Sequence, residues 1–185
     1  MDKIWEWKHH SVYGKDDWVV KIPKETTPIS WKQAQNSLRF FQDNFPDFIP
    51  ETYLEKGFQE IPYFVTQKRV NGILLAEHLA LISLPPDIWA KLREFTERAY
   101  SIILKDGRWF DIIGTPSNPE NKWSWKWCTN FITNPESWEI QFIDTIAWSS
   151  SLILPRALCK IGTVIAPSYR KRKELTHKLL LEIPT

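Results

Sequence analysis

Two charged residues stand where charge is costly. Val19-Val20-Lys21-Ile22 sets a lone lysine in an apolar, strand-like run, and Ile140-Gln141-Phe142-Ile143-Asp144-Thr145 sets a lone aspartate at the end of another, much later in the chain. An ion buried without a partner costs several kcal/mol, so charges so placed call for each other or for a ligand. A lysine and a carboxylate are the minimum for holding a nucleoside triphosphate and its magnesium. The ammonium takes phosphate oxygens, and the carboxylate is a hard ligand for the metal.

The elements that must position this pair read as follows. Short aromatic and β-branched runs at 4–8 and 17–22 predict strands, with turn chemistry in the intervening Ser11–Asp17. Ser30 and Gln33 form a capping box, and Trp31, Ala34, Leu38, Phe41 and Phe45 follow at helical spacing until Pro46 stops the helix. Strands are expected at 52–58 and 63–69, a break at Val70-Asn71-Gly72, and a short helix over 73–81. Pro85-Pro86-Asp87 opens the longest helix, whose apolar face is Ile88, Leu92, Phe95, Ala99, Ile102 and Ile103, with Gly107 as its C-cap. Residues 108–130 read as irregular. Strands at 131–133 and 138–143 flank Asn134-Pro135-Glu136 as a hairpin, and the rest reads as helical with breaks at Pro155 and Pro167.

This order is not an alternation of strand and helix, so a doubly wound parallel sheet is disfavoured. The expected fold class is α+β with two lobes. Residues 1–70 form a small N-terminal lobe of antiparallel sheet plus one helix, and 71–185 a reduced, mainly helical C-terminal lobe, with a hinge near residue 70.

The composition, 43% apolar and 25% charged with six glycines, is that of a globular chain. Eleven tryptophans without a fixed interval argue against a solenoid or propeller and for packing by large flat rings. Trp123, Trp125 and Trp127 alternate, as on one face of a strand. His9 and His10 read as solvated. Cys128 and Cys159 lack any metal-ligand spacing and read as buried reduced thiols; with no apolar leader, the expected location is cytoplasmic. No apolar stretch reaches the length of a membrane span. The net charge of +2 divides unevenly: 155–185 carries seven basic against two acidic residues. This basic segment is a candidate contact for an anionic surface.

From about Val12 to Thr145 the chain resembles the protein-kinase-like superfamily, including its aminoglycoside- and lipopolysaccharide-kinase-like branch. Val19-Val20-Lys21-Ile22 resembles the strand whose lysine contacts the α- and β-phosphates. Pro62 to Leu79 resembles the hinge strand and the helix after it, which implies that backbone around Gln67 to Arg69 bonds the adenine. Gly107-Arg108-Trp109-Phe110-Asp111 resembles the lead into the catalytic loop, Thr129-Asn130-Phe131-Ile132 the metal asparagine and its strand, and Phe142-Ile143-Asp144-Thr145 the element whose aspartate holds magnesium. The resemblance implies ATP and magnesium as cofactors, Lys21, Gln67 and Arg69 on the nucleotide, and Asn130 and Asp144 on the metal. Asp111 would take the acceptor hydroxyl's proton.

The chain also departs from that pattern. The helix over 30–44 has no glutamate to pair with Lys21, which leaves Gln33 or Gln35 as replacements. The segment expected to cover the phosphates, Ser11–Lys15, has one glycine. Asp111 and Asn130 are 19 residues apart, against five in the familiar pattern, so a Trp-rich insertion over 115–128 must loop out. The 41 residues after Asp144 fall short of the lobe that docks a protein substrate, so the expected acceptor is a small molecule, a lipid or a glycan. The alternatives are a pseudokinase scaffold and a Trp-rich basic module that binds nucleic acid or a membrane surface through 156–173.

Overall fold

Alternating burial builds the N-terminal sheet. The computed structural model describes residues 2–6, 10–24, 29–114, 124–146 and 167–184. Strands β1 (Asp2–Glu6), β2 (His10–Lys15), β3 (Trp18–Pro23), β4 (Thr52–Lys56) and β5 (Tyr63–Lys68) form an antiparallel sheet in the order β1-β2-β3-β5-β4. On β5 the inward set is Tyr63, Val65 and Gln67, the period of two expected of a half-buried strand. Register sets Lys21 opposite Val12 on one side and Val65 on the other, so the lysine lies on a central strand and not on an edge.

Helix α1 (Trp31–Asn44) begins as expected: the Ser30 hydroxyl accepts from the Gln33 amide, and the Gln33 side chain accepts from the Ser30 amide. Ala34 and Leu38 pack with Ile29, Tyr63, Val65 and Ile146 under the sheet. Phe40 and Phe41, on the other side of the helix, belong to a larger core shared with the C-terminal elements. The helix therefore joins the two halves of the chain rather than belonging to the first alone.

Beyond Val70-Asn71-Gly72, β6 (Ile73–Leu74) precedes helix α2 (Leu75–Leu81), so the predicted helix is shortened by a two-residue strand. β6 pairs with β7 (Phe131–Thr133), which pairs with β8 (Ile140–Phe142), a three-stranded sheet that the sequence reading did not contain. Helix α3 (Pro86–Asp106) ends at Gly107 in the left-handed region, φ 67°, where its amide closes on Ile103. Helix α4 (Pro167–Leu181) begins at the proline where a break is expected, since proline at the first helical position gives up no intrahelical hydrogen bond. It docks on α3 and the Trp125 turn: Tyr169 donates to the Ile103 carbonyl, Trp125 Nε1 to Leu179, and Arg93 to Ile183 and Pro184. The expected break at Pro155 lies outside the described residues.

The main core is a phenylalanine stack. Phe41 meets Phe110 edge-on at 4.9 Å, Phe95 meets Phe131 at 4.9 Å, and Phe142 lies 5.2 Å from both Phe41 and Phe131. Each buried ring stabilises the fold by about 1.5–3 kcal/mol relative to exposure, and each such pair adds about 0.5–1.5 kcal/mol. No described helix is long and apolar enough to cross a membrane.

Two local expectations are corrected. Trp125–Trp127 is a 3-10 turn capped by Ser124 rather than a strand, with Trp125 buried and Trp127 partly exposed; Trp123 lies outside the described residues. His10 faces the interior of β2 and is buried rather than solvated; His9 lies outside the described residues.

Candidate functional site

The phenylalanine stack also places the polar residues. Phe110 precedes Asp111, Phe131 follows Asn130, and Phe142 stands two residues before Asp144. Phe142 contacts the other two rings, at 5.8 Å and 5.2 Å. The three candidate residues are thus carried to one place by their apolar neighbours, whatever lies between them in sequence.

Asn130 Nδ2 donates to the Asp111 carbonyl at 2.9 Å, which closes the 19-residue excursion. The Asn130 carbonyl accepts from the Ile143 amide at 2.8 Å, which joins this corner to the approach to Asp144. Asp111 Oδ1 accepts from the amides of Ile113 and Gly114, at 3.2 and 3.1 Å, so the carboxylate also shapes its own turn. Gly114 is required there. Its φ is +91°, and a Cβ would come within 2.2 Å of Thr129 Oγ1 and 2.7 Å of Asn130 Oδ1.

Lys21 is 8% exposed, and its Nζ donates to the Ile143 carbonyl at 2.6 Å, one residue before Asp144. Burial pulls its pKa down to about 8 against the opposing field of Asp144. Burial likewise pushes the half-buried Asp144 up to about 7; Lys21 opposes the shift and the Asp111 charge adds to it. The lysine and the two carboxylates therefore share one electrostatic neighbourhood. Tyr63 feels Asp144 as well: burial first, and that charge second, push its hydroxyl well above the usual tyrosine range.

A cavity of about 290 Å³ opens beside this corner, lined on the sheet side by Val12, Val19, Lys21 and Gln67, on the connection by Arg69 and Val70, and opposite by Ile132 and Ile143. Its apolar walls and single buried cation suit a flat heterocycle followed by phosphate. Lys21, Gln67 and Arg69 thus share the cavity, while Asp111, Asn130 and Asp144 gather next to Ile143. The amides of Lys68 and Arg69 are already committed, to the carbonyls of Glu51 and Asp17. Gln67 turns inward: Nε2 donates to Thr52 Oγ1 at 3.0 Å and to the Ile143 carbonyl at 3.4 Å. A larger groove of about 1070 Å³, between the α2–α3 connection and Pro184, contains none of these residues.

The fit to a metal is that of a site completed by substrate. Among the described residues no three His, Cys, Asp or Glu side chains converge on one point. A hard cation would take the Asp144 carboxylate and the Asn130 amide oxygen, whose side chain the bond to Asp111 orients, with phosphate oxygens making up the rest.

Several participants escape a reading of the sequence. Neither Gln33, engaged with Ser30, nor the exposed Gln35 reaches Lys21. The residue of α1 that reaches this region is Ser37, fully buried, whose hydroxyl donates to the Thr145 carbonyl at 3.1 Å. From α4, Arg172 sits 3.9 Å from Asp111 Oδ1 and 4.8 Å from the Trp109 ring, so part of the basic segment turns inward. Helical spacing alone marks Ser37 only as a residue near the apolar face, and nothing local marks Arg172. Ser11–Lys15, expected to cover the phosphates, is strand β2; the β1–β2 connection over 7–9 lies outside the described residues.

No family model matches this sequence, and no curated protein matches it significantly. Among solved structures the chain is similar to the kinase domain of PknI from Mycobacterium tuberculosis, at 14% identity and TM-score 0.47, over 80% of this chain and 58% of that one. It is also similar to the bifunctional kinase-methyltransferase WbdD, at 14% identity and TM-score 0.44, over 96% of this chain and 43% of that one. The chain thus spans less than two thirds of the solved chains it matches.

Proposed function

We propose that this chain is a minimal kinase-like domain that binds ATP with magnesium and transfers phosphate to a small molecule, a lipid or a glycan. The observation that carries the reading is the bond from Lys21 Nζ, which lines the cavity, to the carbonyl preceding Asp144, which sets the candidate phosphate-binding cation one residue from the candidate metal carboxylate. The base would occupy the apolar part of that cavity, and Lys21 would hold phosphate oxygens. Magnesium, when bound, would neutralise the triphosphate, and Asp144 and Asn130 are the residues to hold it. The acceptor oxygen forms a bond to the γ-phosphorus, the bond to the bridging oxygen breaks, ADP leaves, and the hydroxyl proton passes to Asp111. The pairing of Trp109 and Arg172 beside Asp111 supports a glycan or phosphate-bearing headgroup, since a flat ring and a guanidinium suit both.

A second reading, a pseudokinase that keeps the nucleotide site as a scaffold, is favoured by one observation: Lys21 is held by a main-chain carbonyl and not by an acid of α1. Thermal melts test both. A magnesium-dependent rise in Tm with ATP, abolished by Lys21→Ala and by Asp144→Asn, is expected; no shift at millimolar nucleotide sinks both readings. Phosphate transfer or release that disappears in Asp111→Asn then separates enzyme from scaffold.

A further inference from the structure

The stretch that carries Asp144 is clamped at both ends, and by residues to which the fold resemblance assigns no such task. Before the aspartate, the Ile143 carbonyl accepts from Lys21 at 2.6 Å and from Gln67 Nε2 at 3.4 Å, which occupies both of its lone pairs. After it, the Thr145 carbonyl accepts from the Ser37 hydroxyl at 3.1 Å. Gln67 is itself held from behind: Nε2 also donates to Thr52 Oγ1, and that hydroxyl donates to the Pro50 carbonyl at 2.7 Å. Ser37 is fully buried, and Gln67 is 2% exposed.

We infer that Ser37 and Gln67 are positioning residues for the metal carboxylate, fixing the main chain on either side of Asp144. The inference rests on the proposed nucleotide and magnesium site. Its physical basis is that a carboxylate binds a hard cation well only when its direction is fixed in advance, and groups that orient a metal ligand typically govern affinity by about 10- to 100-fold. Fixing the peptide before Asp144 and the carbonyl of Thr145 restricts the two residues between them, and with them the direction of the carboxylate. Neither residue touches the cation, and Ser37 lies outside the lining of the nucleotide cavity. The Gln67 side chain thus braces from the sheet, and α1 acts on the metal through a hydroxyl.

The test is cation binding at saturating ATP, with Mn²⁺ or Mg²⁺ titrated into wild type, Ser37→Ala, Ser37→Cys, Ser37→Thr and Gln67→Leu. The apparent cation constant and the affinity for ATP without cation are read separately, by calorimetry or melting. In Ser37→Ala and Gln67→Leu the cation constant is expected to weaken by about 10-fold, and in Ser37→Ala, which lies outside the cavity lining, cation-free ATP binding stays at the wild-type level. Ser37→Thr, which keeps the hydroxyl, is expected to hold the constant near wild type. Ser37→Cys, a weak donor of similar shape, is expected to follow alanine and serves if alanine does not fold. Variants that melt lower yet bind the cation like wild type make the contacts merely structural and overturn the inference while leaving the nucleotide site intact. A wild type that binds neither ATP nor ATP with cation removes the site and the brace together.

Discussion

Asn130 Nδ2 donates to the main-chain carbonyl of Asp111, joining two residues 19 apart at 2.9 Å. This contact makes an irregular stretch into a site. Without it the Asp111 carbonyl would lose its amide partner, and Asn130 would lose its direction.

Asn130→Leu should therefore lower stability by about 1–3 kcal/mol, the cost of leaving a largely buried polar group unsatisfied. It should also abolish the magnesium-dependent part of the nucleotide response. Chemical denaturation measures the first, and melting with ATP in the presence and absence of cation measures the second.

Gly114→Ala probes the same corner from the backbone. At φ +91° the added Cβ is strained, and it collides with Thr129 Oγ1 and Asn130 Oδ1. A loss on the order of 1–3 kcal/mol is expected, together with weaker cation binding because Asn130 must move. A variant with wild-type stability and cation affinity would show that the corner can yield.

The charged pair gives the metal-free protein a signed pH dependence. Asp144 lies near 3.8 when unfolded and about 7 when folded, so between those values the folded state holds a proton that the unfolded chain has released. Stability must fall as pH rises through that window. Lys21 drops from 10.5 to about 8, so above about 8 the unfolded chain holds the extra proton and stability climbs again. The pair thus contributes a minimum between about pH 7 and 8. Asp144→Asn should remove the acid-side slope, measured by denaturant unfolding across pH 4 to 9.

Cys128 is fully buried, and burial pushes its thiol up to about 12. Thiolate is the reactive form, so alkylation at this position should be negligible in the native protein at pH 8 and rapid after denaturation. Peptide mass spectrometry after timed iodoacetamide treatment reads this directly. The same shift makes stability decline above about pH 9, where an unfolded thiol would ionise, and so limits the rise due to Lys21.

What could be read from the residues was whatever is encoded locally. The Ser30–Gln33 box, the Gly107 cap, the Asn134 turn and the buried Lys21 each announce themselves within a few positions, and each is found in the structure. Ser37, Gln67 as a brace, and Arg172 were not legible, because their roles are set by partners 108, 76 and 61 positions away. The two-residue strand β6 was hidden for the same reason: its pairing with β7 exists only after the chain has returned. Ser11–Lys15 misled in the opposite sense, since turn-forming residue types sit comfortably inside a strand once neighbours on both sides supply hydrogen bonds.

Phe142→Ala should cost about 3–5 kcal/mol, because it removes a ring that contacts Phe41, Phe110 and Phe131. Nucleotide response should fade over the same denaturant range as the core signal, monitored by fluorescence on one sample.

That coincidence has a wider meaning. Because Phe110, Phe131 and Phe142 each lie within two positions of a candidate site residue, greasy interior and chemistry are written into the same three short strings of sequence. Mutational drift cannot loosen one without detuning the other, so a random substitution screened only for solubility would already be a screen for an intact cleft.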